Sequence, residues 1–262
     1  MVEAEAKPLV TITGVTGFLG SMTAKLFLED GSYRIRGTVR DCNNAVKIDP
    51  LKKTLGEALF AQIELVEADL LNETSMTNAI AGSVFVVHTA SPFVLANPED
   101  PDTLIRPAVE GTTAVLRACK THNVRRLAIT SSIAAIRSVK PEDWPANNTF
   151  DESFWSDTSP ENPGITTYNK SKTLAEKAAW DFQESLPEAE RFDIVTLNPA
   201  LIMGPAHQTN DFASGGIVRD MMASSGPVSR TKMGMVDVRD VAKAHLLAIK
   251  VDAAKNRRFL LV

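Results

Sequence analysis

Two spacings of apolar residues alternate along the chain, and the alternation predicts an architecture. Short β-branched runs read as buried strands at Leu9–Thr13, Tyr33–Val39, Gln62–Glu67, Val84–His88, Arg126–Thr130, Phe192–Leu197 and Arg257–Val262. Between them lie stretches with helical spacing: Phe18–Glu29, where Leu19, Met22, Leu26 and Phe27 share one face, then Pro50–Ala61, Thr74–Ile80, Pro107–His122, Thr167–Ser185 and Val241–Ile249. Strand and helix alternating this often implies right-handed crossovers and an α/β, doubly wound parallel sheet of the Rossmann kind. One segment breaks the rhythm. Residues 139–164 are polar and Pro-rich yet carry Trp144 and Trp155, whose rings call for burial, so the segment reads as a long excursion folded back on the domain.

Composition narrows the classes of function. The chain has 262 residues, 44% hydrophobic and 23% charged, ordinary for one globular domain, here 1–262, with room for a small lobe. A net charge of −4 and the lack of any like-charge block argue against nucleic acid and leave a small-molecule partner. Cys42 and Cys119, far apart, form neither a disulfide framework nor a metal site and fit a reducing compartment. The acidic start, Met1–Lys7, lacks the basic and apolar parts of a secretory signal, and no apolar run reaches the ~20 residues that span a bilayer. A cytoplasmic location with no membrane partner is expected, and the N-x-S/T matches at Asn72, Asn147 and Asn169 read as chance. His122 and His207 have no acidic or cysteine partners at ligand spacing, so no metal is expected.

The first strand runs into Thr13-Gly14-Val15-Thr16-Gly17-Phe18-Leu19-Gly20 and then a helix. Glycines at this spacing suit a turn that lets backbone N–H groups approach a pyrophosphate beside the positive end of a helix dipole. The second strand ends in Arg40, where an NAD site would usually carry an acidic residue; a guanidinium there suits a ribose 2′-phosphate. Asp41 follows and could still reach the ribose, while Lys47 offers a second charge. NADP is therefore favoured over NAD.

Tyr168-Asn169-Lys170-Ser171-Lys172 opens a predicted helix, and the i, i+4 spacing puts phenol and ammonium on one face. A free tyrosine, with a pKa of about 10, is a poor acid–base catalyst at neutral pH. A neighbouring cation is expected to lower that value. Ser131 and Ser132 follow the fifth predicted strand, at the sheet edge where open α/β folds bind ligands. Either hydroxyl could hold a substrate oxygen. His88 and His245 fall within buried patterns and read as core residues. Met221, Met222, Met233 and Met235 read as core packing, with an apolar substrate cavity as the alternative.

With these residues the chain resembles the extended short-chain dehydrogenase/reductases, above all the group of dihydroflavonol reductases, cinnamoyl-CoA reductases and yeast-type aldehyde and ketone reductases. The resemblance runs through Thr13–Gly20, Thr38–Asp41, Ala68–Leu70, His88–Pro92, Glu110–Thr112, Thr130–Ser132, Tyr168–Lys172, Asn198–Pro205 and Val236–Ala244. It implies a catalytic trio of Ser132, Tyr168 and Lys172, with Ser131 the less fitting serine. It implies cofactor contacts at Gly14, Val15, Thr16, Gly17, Phe18 and Leu19, at Arg40, at Asp69 and Leu70, and at Thr89, Ala90 and Ser91. Tyr168 and Lys172 again, Pro199, Ile202 and, more weakly, Ser214 complete that set. The implied activity is NADPH-dependent reduction of a small aldehyde, ketone or flavonoid-like carbonyl to an alcohol, by a monomer or homodimer. Members of the group usually continue past the strand at 257–262, and the expected substrate lobe, mainly 198–231 with the loop 139–164, looks short. That makes the chain a fragment or a trimmed member with an open pocket. Two other readings stay open: a nucleotide-sugar epimerase or dehydratase, which Arg40 disfavours, and an NAD(P)-sensing regulatory protein that turns nothing over.

Overall fold

The structure is a computed structural model and describes residues 6–91, 98–162, 164–206, 213–223 and 233–262. Seven parallel strands form one sheet: β1 (Leu9–Thr13), β2 (Arg34–Val39), β3 (Ile63–Glu67), β4 (Phe85–His88), β5 (Arg126–Thr130), β6 (Asp193–Pro199) and, labelled by chain order, β9 (Arg257–Leu261). Their spatial order is β3-β2-β1-β4-β5-β6-β9, so the winding reverses between β1 and β4. That reversal opens a crevice at the carboxyl ends of β1 and β4, the place where such sheets take ligands.

Strand sequences buried on both faces need a helical layer on each side. On one side, α1 (Phe18–Asp30), α2 (Ala45–Leu55) and the short α3 (Glu57–Phe60) join α8 (Val238–Lys250), and Phe27, Leu51 and Ile249 enter the same core as Val10, Ile12 and Ile35. On the other, α4 (Glu73–Ile80), α5 (Asp102–Thr121) and α6 (Thr167–Ser185) supply Met76, Ile80, Leu116 and Ala179 to a core with Val86, Leu127 and Ile194. Arg126, at the start of β5, is buried and ties the layers together: its Nη1 donates to the carbonyls of Ala248, Ile249 and Val251 at the end of α8, and its Nη2 to Asp193 and Asp252.

Two predicted helices start too late. Helix α2 begins at Ala45 and α5 at Asp102, each more than a turn before the proline expected to open it, so Pro50 and Pro107 lie inside. A proline near a helix start forfeits one donor, and the apolar face of the longer helix outweighs that loss. A second, two-stranded parallel sheet, β7 (Leu201–Met203) with β8 (Met235–Asp237), was not foreseen, nor was α7 (Ala213–Ala223). Strand β7 and α7 fall within the expected substrate lobe, 198–231, and β8 lies just past it. The rest of it (207–212 and 224–231, with His207) lies outside the described residues, as do Pro92 and Pro163.

The excursion at 139–164 is folded back, but not as its aromatics suggested. Trp155 lies under Arg258, 3.7 Å from ring centre to guanidinium carbon, whereas Trp144 is half exposed in an edge-to-face stack with Phe150 and Phe154. The asparagines of the N-x-S/T matches are in local use: Asn72 caps α4 through Ser75 N–H, Asn147 accepts from Thr149 N–H, and Asn169 Nδ2 donates to Ser138 Oγ. Both cysteines are free thiols, Cys119 buried and Cys42 half-buried. No helix among the described residues is long and apolar enough to cross a membrane.

Candidate active site

The turn after β1 is built by close approach. Gly14 has φ +68°, and a Cβ there would sit 3.0 Å from Ala90 Cβ; a Cβ on Gly20, inside α1, would fall 2.3 Å from the Gly14 carbonyl oxygen. Gly14 N–H donates to Thr38 Oγ1, Val15 N–H to the Thr38 carbonyl, and Gly17 N–H to the Gly14 carbonyl. The side chain of Val15 is fully buried against Gly37. The N–H groups of Gly14, Val15 and Gly17 are thus engaged in shaping the turn. Beside the turn stands the first turn of α1, whose N-cap, Gly17, makes no side-chain cap hydrogen bond and whose end of the helix dipole is positive. Thr16 precedes that N-cap, and Phe18 and Leu19 open the helix.

Around this helix end the other predicted cofactor residues line the carboxyl edge of the sheet. Arg40 is exposed just beyond β2. Asp41 Oδ1 accepts from Asn43 N–H at 2.8 Å, closing the local turn. Past β3, Asp69 is exposed and holds Leu71 N–H, while Leu70 is half-buried, its Cβ close enough to Gly111 that a side chain there would press on it. Past β4, Thr89 Oγ1 donates to the Thr13 carbonyl and Ala90 N–H to Thr13 Oγ1, which locks the two sides of the crevice together. A helix N-terminus with no side-chain cap among the described residues and an exposed guanidinium one strand away fit a dinucleotide carrying a 2′-phosphate.

The catalytic candidates converge on the same edge. Thr166 caps α6 by accepting from Asn169 N–H, which sets the first turn so that Tyr168, Lys172 and Glu176 follow on one face. The Tyr168 hydroxyl hydrogen-bonds Ser132. Lys172, 9% exposed, donates from Nζ to Ser91 Oγ at 2.7 Å and lies 5.8 Å from the Tyr168 ring centre. Ser131, by contrast, turns inward and donates to Glu176 Oε2 at 2.5 Å. Of the two serines, Ser132 is the one that meets Tyr168.

The electrostatics differ from the sequence expectation. Burial raises the Tyr168 pKa above its ordinary value, and the Ser132 hydrogen bond lowers it without compensating. Burial pushes the Lys172 ammonium down to about 8. The ammonium sits over the ring rather than at the hydroxyl, so in this state Tyr168 is held as a neutral phenol, a proton donor at rest. Beneath Lys172 a cavity of about 20 Å³, room for a single water, is lined by His88, Thr112, Ser131 and Glu176.

The nicotinamide-side candidates also lie at this edge. Pro199 ends β6, buried, and Ile202 in β7 packs with Phe18 on the cluster formed by Leu19, Met22, Val238 and Val241. Ser214 lines a cleft of about 560 Å³ with Met203, Val218, Arg219 and Met222. Met221, Met222, Met233 and Met235 are exposed, contrary to the core packing expected of them; only Met222 among them lines the cleft.

His88 and His245 are fully buried and serve structure. His88 Nδ1 pairs with Thr13 Oγ1, and His245 lies between Thr130 Oγ1 and the Val241 carbonyl. Burial pushes their pKa values down to about 3 and about 4, from 6.5. In that interval the unfolded chain binds more protons than the folded one, so stability is fully present above pH 6.5 and is lost as pH falls, by about 1.4 kcal/mol per unit for each histidine. Thermal unfolding between pH 7.5 and 4.5 should show a falling Tm, flattened in a His88→Gln/His245→Gln variant. A Tm equally acid-sensitive in that variant would assign the effect elsewhere.

Sequence reasoning missed Glu176, Asn198 and Arg258, which form a buried network behind Ser131. A carboxylate between Ala175 and Ala179 on the face already marked by Tyr168 and Lys172 was the available signal.

Residues 10–261 match the NAD dependent epimerase/dehydratase family. Tetraketide alpha-pyrone reductase 1 of Arabidopsis thaliana is 35% identical over 97% of this chain and 76% of its own length. Cinnamoyl-CoA reductase CAD2 of Medicago truncatula is 35% identical over 96% and 75%. Among solved structures, yeast methylglyoxal/isovaleraldehyde reductase Gre2 complexed with NADPH superposes with a TM-score of 0.82 at 27% identity, covering 97% of this chain and 77% of that one.

Proposed function

The chain belongs to the NAD dependent epimerase/dehydratase family, and we propose that within it this protein is an NADPH-dependent reductase that converts a small aldehyde, ketone or flavonoid-like carbonyl to the alcohol. The observation that carries the reading is the meeting of Ser132, a neutral Tyr168 and a buried Lys172 at the mouth of the glycine-shaped crevice. The relatives described above support the reading, since each is named as a reductase and one of them is complexed with NADPH. In our reading the protein acts in a reducing compartment, consistent with two free thiols.

When bound, the reduced nicotinamide supplies the hydride that the carbonyl carbon accepts. Ser132 holds the carbonyl oxygen as negative charge builds on it, an oxyanion-type contribution. Tyr168 then gives its phenolic proton to that oxygen, completing the alcohol, and recovers a proton from solvent. Lys172 is released from Ser91 to hold the ribose, its charge favouring the transient phenolate. The first turn of α1 and Arg40 hold the phosphates, Asp69 and Leu70 the adenine, and Thr89, Ala90 and Ser91 the cofactor's path across the edge. Pro199 and Ile202 form the nicotinamide-side wall, and β7, α7 and the loop 139–164 act as the substrate lobe, with Ser214 at its cleft.

The test of this reading is parallel NADPH and NADH oxidation against a panel of aldehydes, ketones and flavonoid-like substrates. Turnover with NADPH exceeding that with NADH is expected; silence with every carbonyl would contradict it. The cofactor preference has its own prediction. Arg40→Ala removes a charge-assisted contact to the 2′-phosphate and should raise the KM for NADPH by about 10–100-fold while leaving that for NADH nearly unchanged. Equal loss with both would show that Arg40 does not read the phosphate.

A further inference from the structure

The carboxylate of Glu176 is wholly buried, its side chain 0% exposed, one helical turn beyond Lys172. Burying a charge is costly unless hydrogen bonds meet it, and a well-packed apolar pair would usually serve stability as well as a buried ion pair does. Glu176 is met on all sides. Oε1 accepts from Arg258 Nε at 2.7 Å and from Thr196 Oγ1 at 2.9 Å; Oε2 accepts from Ser131 Oγ at 2.5 Å and Asn198 Nδ2 at 2.6 Å. Two of these contacts lead straight to the residue that meets Tyr168. Asn198 Nδ2 also donates to the carbonyl of Ser132 at 3.1 Å, and Ser131 is its chain neighbour. Ser132 is thus held from its backbone on both sides by groups that Glu176 fixes.

Arg258 extends the same chain outward. Its Nη1 donates to the carbonyls of Glu152 at 2.6 Å and Phe154 at 2.7 Å, its guanidinium lies on Trp155, and two residues further along β9 Leu260 gives its N–H to Glu152 Oε1 at 2.9 Å. The excursion 139–164 is thereby seated on β9 through the residue that clamps Glu176. We propose that Glu176, clamped by Arg258, is a positioning residue for the reaction: it fixes the Ser131–Ser132 corner against Tyr168 and links the seating of the 150–155 segment to that corner. The proposal rests on the reductase reading, because it concerns the placement of that reading's oxyanion-holding hydroxyl. Glu176 itself touches neither substrate nor cofactor.

The test uses the full chain with Glu176→Gln, Arg258→Met and Ser131→Ala, each read by kcat, by NADPH dissociation constant and stoichiometry from fluorescence, and by amide hydrogen exchange. Glu176→Gln keeps the shape and removes the charge; kcat per NADPH-binding site should fall about tenfold, the worth of a charge-assisted hydrogen bond. The NADPH dissociation constant should barely move, and exchange across residues 131–136 should quicken. Arg258→Met should do the same and also quicken exchange across 150–155. A merely structural role would instead lower the binding-competent fraction and leave kcat per site and local exchange as in the wild type, and that result would overturn the proposal. Should the two charge-altering variants fail to fold, Ser131→Ala, which deletes one hydroxyl, decides: a several-fold lower kcat at unchanged NADPH affinity is expected, and an unchanged kcat overturns it. Failure of the parent reading looks different. The wild type would then turn over no carbonyl, while the exchange measurements would still show whether Glu176 holds the corner.

Discussion

Tyr168→Phe is expected to lower carbonyl reduction by about 10²–10⁴-fold, the usual worth of a positioned proton donor, while NADPH binding stays nearly intact. The substitution keeps the ring that Lys172 overlies and deletes only the hydroxyl that meets Ser132. The loss should fall on kcat, because the proton is needed only as the oxygen becomes negative. Raised above its ordinary value by burial, Tyr168 stays protonated through the neutral range, so reduction should be flat below about pH 8 and decline above it, first as the buried Lys172 loses its charge and then as alkali removes the phenolic proton. Stopped-flow NADPH oxidation with the two proteins checks both points. Turnover within a few-fold of wild type in the variant would remove Tyr168 from the chemistry.

Lys172→Met should separate function from stability. Activity should fall by about two powers of ten or more, since the ribose and the transient phenolate lose their cation. Stability should rise. Lys172 titrates at about 8 in the folded chain against 10.5 for an unburied lysine, so below pH 8 the fold carries a buried charge at a cost of roughly 3 kcal/mol. The unfolded chain binds the extra proton between pH 8 and 10.5, and stability therefore climbs as pH rises through that window. Methionine fills similar space without the charge, and Tm at pH 7 should exceed that of the wild type by about 2–4 °C for each kcal/mol recovered. The gap should close toward pH 10.5. An unchanged or lower Tm at pH 7 would mean that the bond to Ser91 offsets the burial cost.

What could be read from the sequence was what local spacing encodes. The seven strands, the glycine turn and the face shared by Tyr168 and Lys172 follow from periodicity and i, i+4 geometry, and α6 matches its predicted span of Thr167–Ser185. What escaped depends on partners distant in the chain. Glu176 and Arg258 are 82 positions apart and meet only because β9 closes the sheet beside β6. The three-residue strands β7 and β8 are too short to show a period. Local preference places helix starts at Pro50 and Pro107, and tertiary packing of α2 and α5 overrides it. The Lys172–Tyr168 electrostatics could not be signed from spacing at all, because burial, which no spacing reveals, dominates both groups.

The most direct test of the account follows the hydride itself. The protein is incubated with each carbonyl of the panel and NADPH carrying deuterium at nicotinamide C4, in separate C4-R and C4-S forms, and the product is analysed by mass spectrometry. The account predicts one deuterium on the carbinol carbon from one of the two forms, and at least about a hundredfold less labelled product from Tyr168→Phe over the same time. NADPH bound at full stoichiometry with no deuterium in any product would contradict it and leave a protein that senses the dinucleotide without spending it.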